Sequence, residues 1–294
     1  KNVIVVKADN SNDSSYPPGK PQESLDFAYF GGIYRDAYLI STGPVYITDP
    51  NEAGTVAGGG IFFRTESLDP RTRKGKVGVK VQVANNTDKE QKVRVQALMT
   101  DPKGVDPVGE TAPLVIPPHS TGEVDIPLVI SNVRPWSPDN PNLYTLSVEV
   151  WKAAGGADAK NPAHLLDNRS MRVGVRTVEI TEKGLVLNGS LFPEKLIGGN
   201  RHQDFARLGN AVPNNLQWQD AVKLRKAGMR VIRSAHYPQD PAFMDACDRL
   251  GLFVIVATPG WQFWGKGPFA DRVYDDVRQM VRRDRNHPSV MMWE

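Results

Sequence analysis

The sequence predicts an antiparallel β-sandwich followed by a parallel α/β unit, and three observations predict it. Up to about Arg176 apolar residues recur at every second position, with no helical run between them. After about residue 185 strand-like and helix-like runs alternate. The chain has 294 residues, 40% hydrophobic and 23% charged, which is an ordinary globular balance and a length for about two domains, or three small ones.

Taken in order, Asn2 to Lys7 reads as a strand, Asp9 to Gln22 as a long polar loop, and Ala37 to Ile40 as a second strand. Two strands cannot fold alone, so residues 1–48 are expected to belong to a separate β unit that the chain enters midway. No signal peptide is visible, and that leaves the compartment open.

A sandwich is expected over residues 49–176. Val77, Val79, Val81 and Val83 alternate with Lys76, Gly78, Lys80 and Gln82. Val93, Val95, Ala97 and Met99 repeat the pattern beyond a polar turn at Asn85 to Asp88. Glu123 to Ile130, Tyr144 to Trp151 and Met171 to Ile180 complete a set of half-buried strands, with a loose hairpin loop at Ala153 to Ala163.

From residue 177 onward the predicted strands are Leu191–Ile197, Val231–Ser234, Phe253–Ala257 and Ser289–Trp293. The predicted helices are Asn214–Ala227, Pro241–Leu250 and Asp271–Arg283, each with apolar residues three and four apart. Such alternation builds right-handed βαβ crossovers and a parallel sheet. Half of a (β/α)₈ barrel and a doubly wound sheet both fit the pattern, although no glycine-rich phosphate loop follows the first strand.

Composition excludes several classes. The most apolar run, Leu252 to Thr258, is far short of the roughly 20 residues that cross a bilayer, so no membrane partner is expected. The net charge of +3 is spread along the chain, which gives no nucleic-acid surface. The single cysteine, Cys247, excludes an intrachain disulfide and falls among apolar helix positions, where a buried thiol is expected rather than a nucleophile.

In parallel α/β folds the reactive groups sit at the C-terminal ends of the strands. Those ends read Gly198-Gly-Asn-Arg-His-Gln-Asp204, Arg233-Ser-Ala-His-Tyr-Pro238, Thr258-Pro-Gly-Trp-Gln-Phe-Trp264 and Trp293-Glu294. They concentrate His202, His236, Trp261, Trp264 and Trp293 beside polar groups, a combination suited to a sugar, whose C–H faces stack on rings while its hydroxyls need donors and acceptors. A metal reading of His202, Asp204 and His236 also exists, but the spacing is weak and no fourth ligand is evident, so no metal and no cofactor are expected.

At these residues the sequence resembles a family. Asn200-Arg-His202, Gly228-Met-Arg-Val-Ile-Arg-Ser-Ala-His-Tyr-Pro238, Asp248-Arg-Leu-Gly-Leu252, and Arg283-Asp-Arg-Asn-His-Pro-Ser-Val290 with Trp293 are similar to the family 2 glycoside hydrolases, the β-galactosidases, β-glucuronidases and β-mannosidases. Gly31-Gly-Ile-Tyr-Arg-Asp36 resembles the end of that family's sugar-binding jelly-roll. Trp136 to Tyr144 resembles the late part of its immunoglobulin-like domain. The resemblance covers the chain in the family's order. It implies the end of a jelly-roll at 1–48, an immunoglobulin-like sandwich at 49–176 and the first half of a TIM barrel at 177–294. It also implies retaining hydrolysis of a terminal β-glycoside, most like a β-galactosidase, with a carbohydrate as the partner. A periplasmic or secreted bacterial location is favoured by the same resemblance; oligomeric state is left open.

By the resemblance, Arg233 orients the nucleophile carboxylate, His236 contacts the sugar, and Asn200 and His202 line the same pocket. Asp9 and Asn10 loosely match an N-terminal loop that reaches a sugar hydroxyl, and an Asx turn explains them equally well. Glu294 directly follows the fourth-strand tryptophan, whereas the family's acid/base glutamate follows an asparagine a few residues further on. Both catalytic carboxylates are therefore expected beyond Glu294, and none is assigned here. Gly31–Asp36 and Asn286–Ser289 are expected to be structural. Two departures stand out: Arg230 where the family often has asparagine, and Val256-Ala-Thr-Pro-Gly-Trp261 where many β-galactosidases carry metal-binding groups. A carbohydrate-binding protein without catalysis is the competing reading. The 294-residue chain is expected to hydrolyse no aryl β-galactoside, and turnover that disappears on Glu294→Gln would overturn that expectation.

Overall fold

The structure, a computed structural model, describes residues 3–25, 27–28, 30–153, 161–260 and 263–294. The chain divides into two compact units. One comprises Ser41–Lys195 with Arg282–Pro288, the other Lys1–Ile40 with Leu196–Val281 and Ser289–Glu294.

The first of these is the sandwich. In chain order its elements are β1 (Val45–Ile47), a short helix α1 (Pro50–Ala53), β2 (Ile61–Leu68), β3 (Gly75–Asn85), β4 (Gln91–Thr100), β5 (Pro107–Ile116), β6 (Ser120–Ile130), β7 (Tyr144–Lys152) and β8 (Leu165–Val173). A small meander of β9 (Val178–Thr181), β10 (Gly184–Leu187) and β11 (Ser190–Leu191) follows. In one antiparallel sheet β3 pairs with β6 on one side and with β1 and β2 on the other. The second sheet runs β5-β4-β7-β8. The alternation seen in the sequence is the alternation of the core. Val77, Val79, Val81 and Val83 of β3 join Val93, Val95, Ala97 and Met99 of β4 in one buried cluster, with Ile126 and Leu128 of β6 and Leu146, Val148 and Val150 of β7. Each valine, leucine, isoleucine or methionine of this cluster stabilises the fold by about 1.5–3 kcal/mol on burial.

Three differences from the sequence reading have physical causes. The run Met171–Ile180 is not one strand: β8 ends at Val173 and β9 starts at Val178. Strand β5 carries Pro107, Gly109 and Pro113, which hide it from a β-propensity reading. It lies at the edge of its sheet, where proline costs no ladder hydrogen bond. The expected hairpin loop Ala153–Ala163 falls largely on 154–160, outside the described residues.

In the second unit, β12 (Gly198–Arg201), α2 (Asn214–Lys226), β13 (Val231–Ser234), α3 (Pro241–Leu250), β14 (Phe253–Val256), α4 (Pro268–Asp284) and β15 (Val290–Trp293) alternate as expected. The four strands are parallel and ordered β12-β13-β14-β15, as successive βαβ crossovers require. Helix α3 shows why local signals sufficed. The Asp240 carboxylate caps it by accepting from the Ala242 N–H at 2.8 Å, and Gly251 closes it at φ 70° with its N–H on the Cys247 carbonyl. Between the caps, Phe243, Met244, Ala246 and Cys247 are buried against Ile232, Val254 and Val256 of the sheet. Burial drives the Cys247 thiol pKa well up, so this cysteine is a core group.

The first parallel strand is a correction: it is Gly198–Arg201, not Leu191–Ile197. The apolar run is the false signal, since Leu191 and Ile197 are exposed. The strand instead contains a glycine pair, because a side chain at Gly198 would collide with the Val231 carbonyl of the neighbouring strand. The strands expected at 2–7 and 37–40 are likewise irregular over the described residues. Val3, Ile4, Val5 and Val6 are 62–86% exposed, and an apolar run without a ladder partner cannot hold a strand.

Asn85, at the end of β3, is fully buried and ties the turn of the sandwich together. Its amide nitrogen donates toward the Lys89, Ile116 and Pro117 carbonyls at 2.8, 3.1 and 2.9 Å, and its oxygen accepts from the Thr87 N–H and hydroxyl. Asn85→Ala is expected to cost about 2–3 kcal/mol, because the buried Ile116 carbonyl loses its donor and the turn loses its side-chain ties. Amide hydrogen exchange along the β3–β6 ladder measures this; protection equal to the parent's would refute it.

Candidate active site

The site is built at the C-terminal ends of β12 and β13. Their ladder pairs Asn200 with Arg233 and Arg201 with Ser234. Side chains alternate along a strand, so Asn200 and Arg233 share one face of the sheet and Arg201 points to the other.

On the helix side, Arg201 is 6% exposed and fully engaged. It donates to Gln239 Oε1 at 2.5 Å, to Gln217 Oε1 at 2.7 Å and to Asp220 Oδ2 at 2.8 Å, and its guanidinium lies 4.0 Å from the centre of the Phe243 ring. One cation thus joins β12 to α2, to the loop after β13, and to α3.

On the open side, Arg233 makes a two-pronged ion pair with Glu294, with Nε donating to Oε2 at 2.6 Å and Nη2 to Oε1. Its Nη1 lies 3.2 Å from Nδ1 of His236. The ion pair holds the Glu294 carboxyl below its ordinary pKa against the opposing effect of burial, and raises that of Arg233.

Beyond the strand ends three rings gather around Phe27. Its centroid is 5.6 Å from His202, in a stacked arrangement, 5.6 Å from His236 and 5.9 Å from Tyr237. The two histidines meet edge to face at 5.4 Å. Nδ1 of His202 is buried without a hydrogen-bond partner among the described residues, so ring packing sets the orientation of this imidazole. The Tyr237 hydroxyl accepts from the Gln203 N–H at 3.0 Å, and burial raises its pKa. The loop is held from the N-terminal segment. Arg35 donates to the Pro238 carbonyl at 2.5 Å and lies 3.4 Å from Gln203 Oε1, which also accepts from the Asp240 N–H at 2.6 Å. Asp36 accepts from Asn214 at 3.0 Å and from Tyr38 at 2.8 Å. The Gly31–Asp36 motif is therefore a structural tether, as its sequence suggested.

Of the residues singled out in the sequence, Asn200, His202, Arg233 and His236 lie together at these strand ends. Asp9 and Asn10 lie apart from that cluster in the chain, in the N-terminal segment, on a cavity of about 600 Å³ also lined by Tyr16 and Lys20. Asp9 forms an Asx turn, accepting from the Ser11 N–H at 3.0 Å and hydroxyl at 2.7 Å, and these bonds lower its pKa. Asn10 packs its amide against Gly31, so a Cβ at that position would require the amide to shift. Trp264 is 90% exposed, and Trp261 is outside the described residues. His202, Asp204 and His236 do not bring three ligand atoms within 4.8 Å of one another. Sequence reasoning missed Phe27, for which no local signal exists, and passed over Arg201, which its position between two candidates could have flagged.

Comparison with known proteins finds two family models along the chain. Residues 178–294 match the family model "Glycosyl hydrolases family 2, TIM barrel domain", and residues 60–176 match "Glycosyl hydrolases family 2". A β-galactosidase of Thermoanaerobacter pseudethanolicus is 30% identical over 297 residues, covering 100% of this chain and 36% of the relative. A β-glucuronidase of Bacteroides fragilis is 29% identical over 306 residues, covering 100% of this chain and 40% of the relative. The crystal structure of a glycosyl hydrolase family 2 member from Bacteroides cellulosilyticus superimposes with a TM-score of 0.76 at 29% identity, covering 90% of this chain and 34% of that one. The chain thus spans well under half the length of these relatives.

Because the Arg233 ion pair lowers the Glu294 pKa, the pair is intact above the ordinary glutamate range and is lost as pH falls through the depressed value. The Glu294 carboxyl ¹³C shift is expected to titrate below the ordinary glutamate range, and its midpoint to rise in Arg233→Met, which removes the lowering partner and leaves the burial. An identical midpoint in both proteins would refute the pairing.

Proposed function

We propose, from the premise that this chain belongs to the family 2 glycosyl hydrolases, that the ends of β12 and β13 form one wall of a pocket for a terminal β-linked sugar, and that the whole protein hydrolyses such β-glycosides with retention of configuration. The observation that carries the reading is the convergence of Arg233, His236, His202 and the Phe27 ring at the strand ends. Rings offer a stacking wall and the polar groups address hydroxyls. A β-galactoside is the substrate proposed first and a β-glucuronide second, because relatives of both names are similar over the entire chain.

Retaining hydrolysis uses two carboxyl groups about 5–5.5 Å apart, one a general acid/base and the other a nucleophile that forms a glycosyl–enzyme intermediate. Within residues 1–294 no group is assigned either role. The family register puts the acid/base a few residues past Trp293, and the relatives are more than twice as long as this chain. Three of the five guanidinium N–H groups of Arg233 go to Glu294 and His236, which leaves two to hold an incoming nucleophile carboxylate ionised. Asn200, on the same sheet face, addresses a sugar hydroxyl. The same proposal assigns residues 1–48 to the end of a sugar-binding jelly-roll, 49–176 to the immunoglobulin-like domain and 177–294 to the first half of the barrel.

The test is steady-state hydrolysis of 4-nitrophenyl β-D-galactoside and β-D-glucuronide by a protein carrying this sequence through the complete barrel. Arg233→Lys, which cannot form the fork, is expected to lower kcat/KM about 100-fold or more on the preferred substrate. A change of less than twofold would remove Arg233 from the machinery. Tight binding of a β-glycoside with no turnover by the parent would favour a carbohydrate-binding protein instead.

A further inference from the structure

We propose that Phe27 is a positioning residue: its ring, stacked on the His202 imidazole, sets the plane in which that imidazole faces the pocket, in place of the hydrogen bond that usually orients such a group. The proposal rests on the sugar-pocket reading for the ligand, and on geometry alone for the stacking.

An imidazole that works at a site is usually aimed through its second nitrogen, which bonds a backbone carbonyl or a carboxylate. His202 lacks that device, since its Nδ1 is buried and has no hydrogen-bond partner among the described residues. The backbone on either side is firmly held. Arg201 is anchored by Asp220, Gln217 and Gln239, and the Gln203 N–H donates to the Tyr237 hydroxyl at 3.0 Å. What these ties leave open is rotation of the ring about its own bond to the side chain, where histidine has broad wells. Packing closes that freedom. The Phe27 ring lies against His202 with centroids 5.6 Å apart and planes 28° from parallel, and the His236 ring meets the imidazole at 5.4 Å and 79°. A stacked face and a near-perpendicular ring together define one plane.

The same Phe27 ring lies 5.6 Å from His236 and 5.9 Å from Tyr237, so it is the shared surface of the cluster. An aliphatic side chain of similar bulk fills space but offers no flat face, so the arrangement requires the aromatic ring itself. Phe27 comes from the N-terminal segment. Arg35 of that segment donates to the Pro238 carbonyl at 2.5 Å, on the loop that carries His236 and Tyr237. The segment thus takes part in recognition without lending a polar group at Phe27: this residue acts through His202.

Nuclear Overhauser contacts between ring protons of the 294-residue chain read the stacking directly, with His202→Gln assigning the resonances among the five histidines. Contacts from His202 to Phe27 and to His236 are expected in the parent. Phe27→Tyr, which keeps the ring, is expected to keep the His202–His236 contact. Phe27→Leu, which keeps only apolar bulk, is expected to lose most of its intensity. The absence of a Phe27–His202 contact in the parent overturns the proposal even if Phe27→Leu fails to fold. A parent-like His202–His236 contact in a folded Phe27→Leu, or its loss in Phe27→Tyr, does the same. In a protein carrying the complete barrel, Phe27→Leu is expected to lower kcat/KM on the preferred 4-nitrophenyl β-glycoside about tenfold when His202 is present and less than twofold in a His202→Gln background, because a residue that acts through another loses its effect when that other is gone. Equal losses in both backgrounds, the mark of a purely structural role, overturn the proposal. If the ring contacts respond as expected but no β-glycoside is bound or turned over by the parent, the stacking role of Phe27 is supported and the sugar pocket falls.

Discussion

The guanidinium of Arg201 is the group on which the site depends. Burying a cation costs several kcal/mol, and the cost is recovered only where good hydrogen-bond geometry satisfies the donors. Arg201 meets Asp220, Gln217 and Gln239 at once and lies over the Phe243 ring. Strand β12 needs such an anchor. Half of it is glycine, so it has little apolar surface to bury, and its register is held by the ladder to β13 and by this one side chain. Everything that projects from its end inherits the anchor's precision: Asn200 stands one residue before it and His202 one residue after.

The fold was legible where a local pattern and a packing surface coincide. The valine alternation of β3 and β4 is the inner face of a sandwich, and the caps and apolar stripe of α3 mark a helix pressed on a sheet. It was illegible where tertiary context reverses a local signal. Gly198 and Gly199 read as a break yet form a strand, because two backbones come too close for a side chain. Pro107 and Pro113 read against a strand yet lie in one, because its sheet ends there. Residues 3–7 read as a strand yet are not, because nothing described pairs with them.

The site divides in the same way. Arg233, His236, Asn200 and His202 follow from a topological rule, since parallel strands end together and bring short sequence segments to one edge. Phe27 does not follow, because its packing on His202 joins segments far apart in the sequence and leaves no periodic trace. At Asp9 the turn signal has a structural counterpart, its Asx bonds to Ser11. The polarity of Asp9 and Asn10 suits a surface turn as well as a ligand contact.

Cys247 has a consequence for handling the molecule. It is the sole sulfhydryl in 294 residues and lies wholly inside the α3 packing layer. Alkylating reagents require an accessible thiolate, and here both access and ionisation are denied. The native chain is thus chemically silent toward maleimides. Within these 294 residues, a cysteine introduced on the strand-end loops would be the accessible thiol, so a fluorophore or spin label could be attached beside His202 and His236.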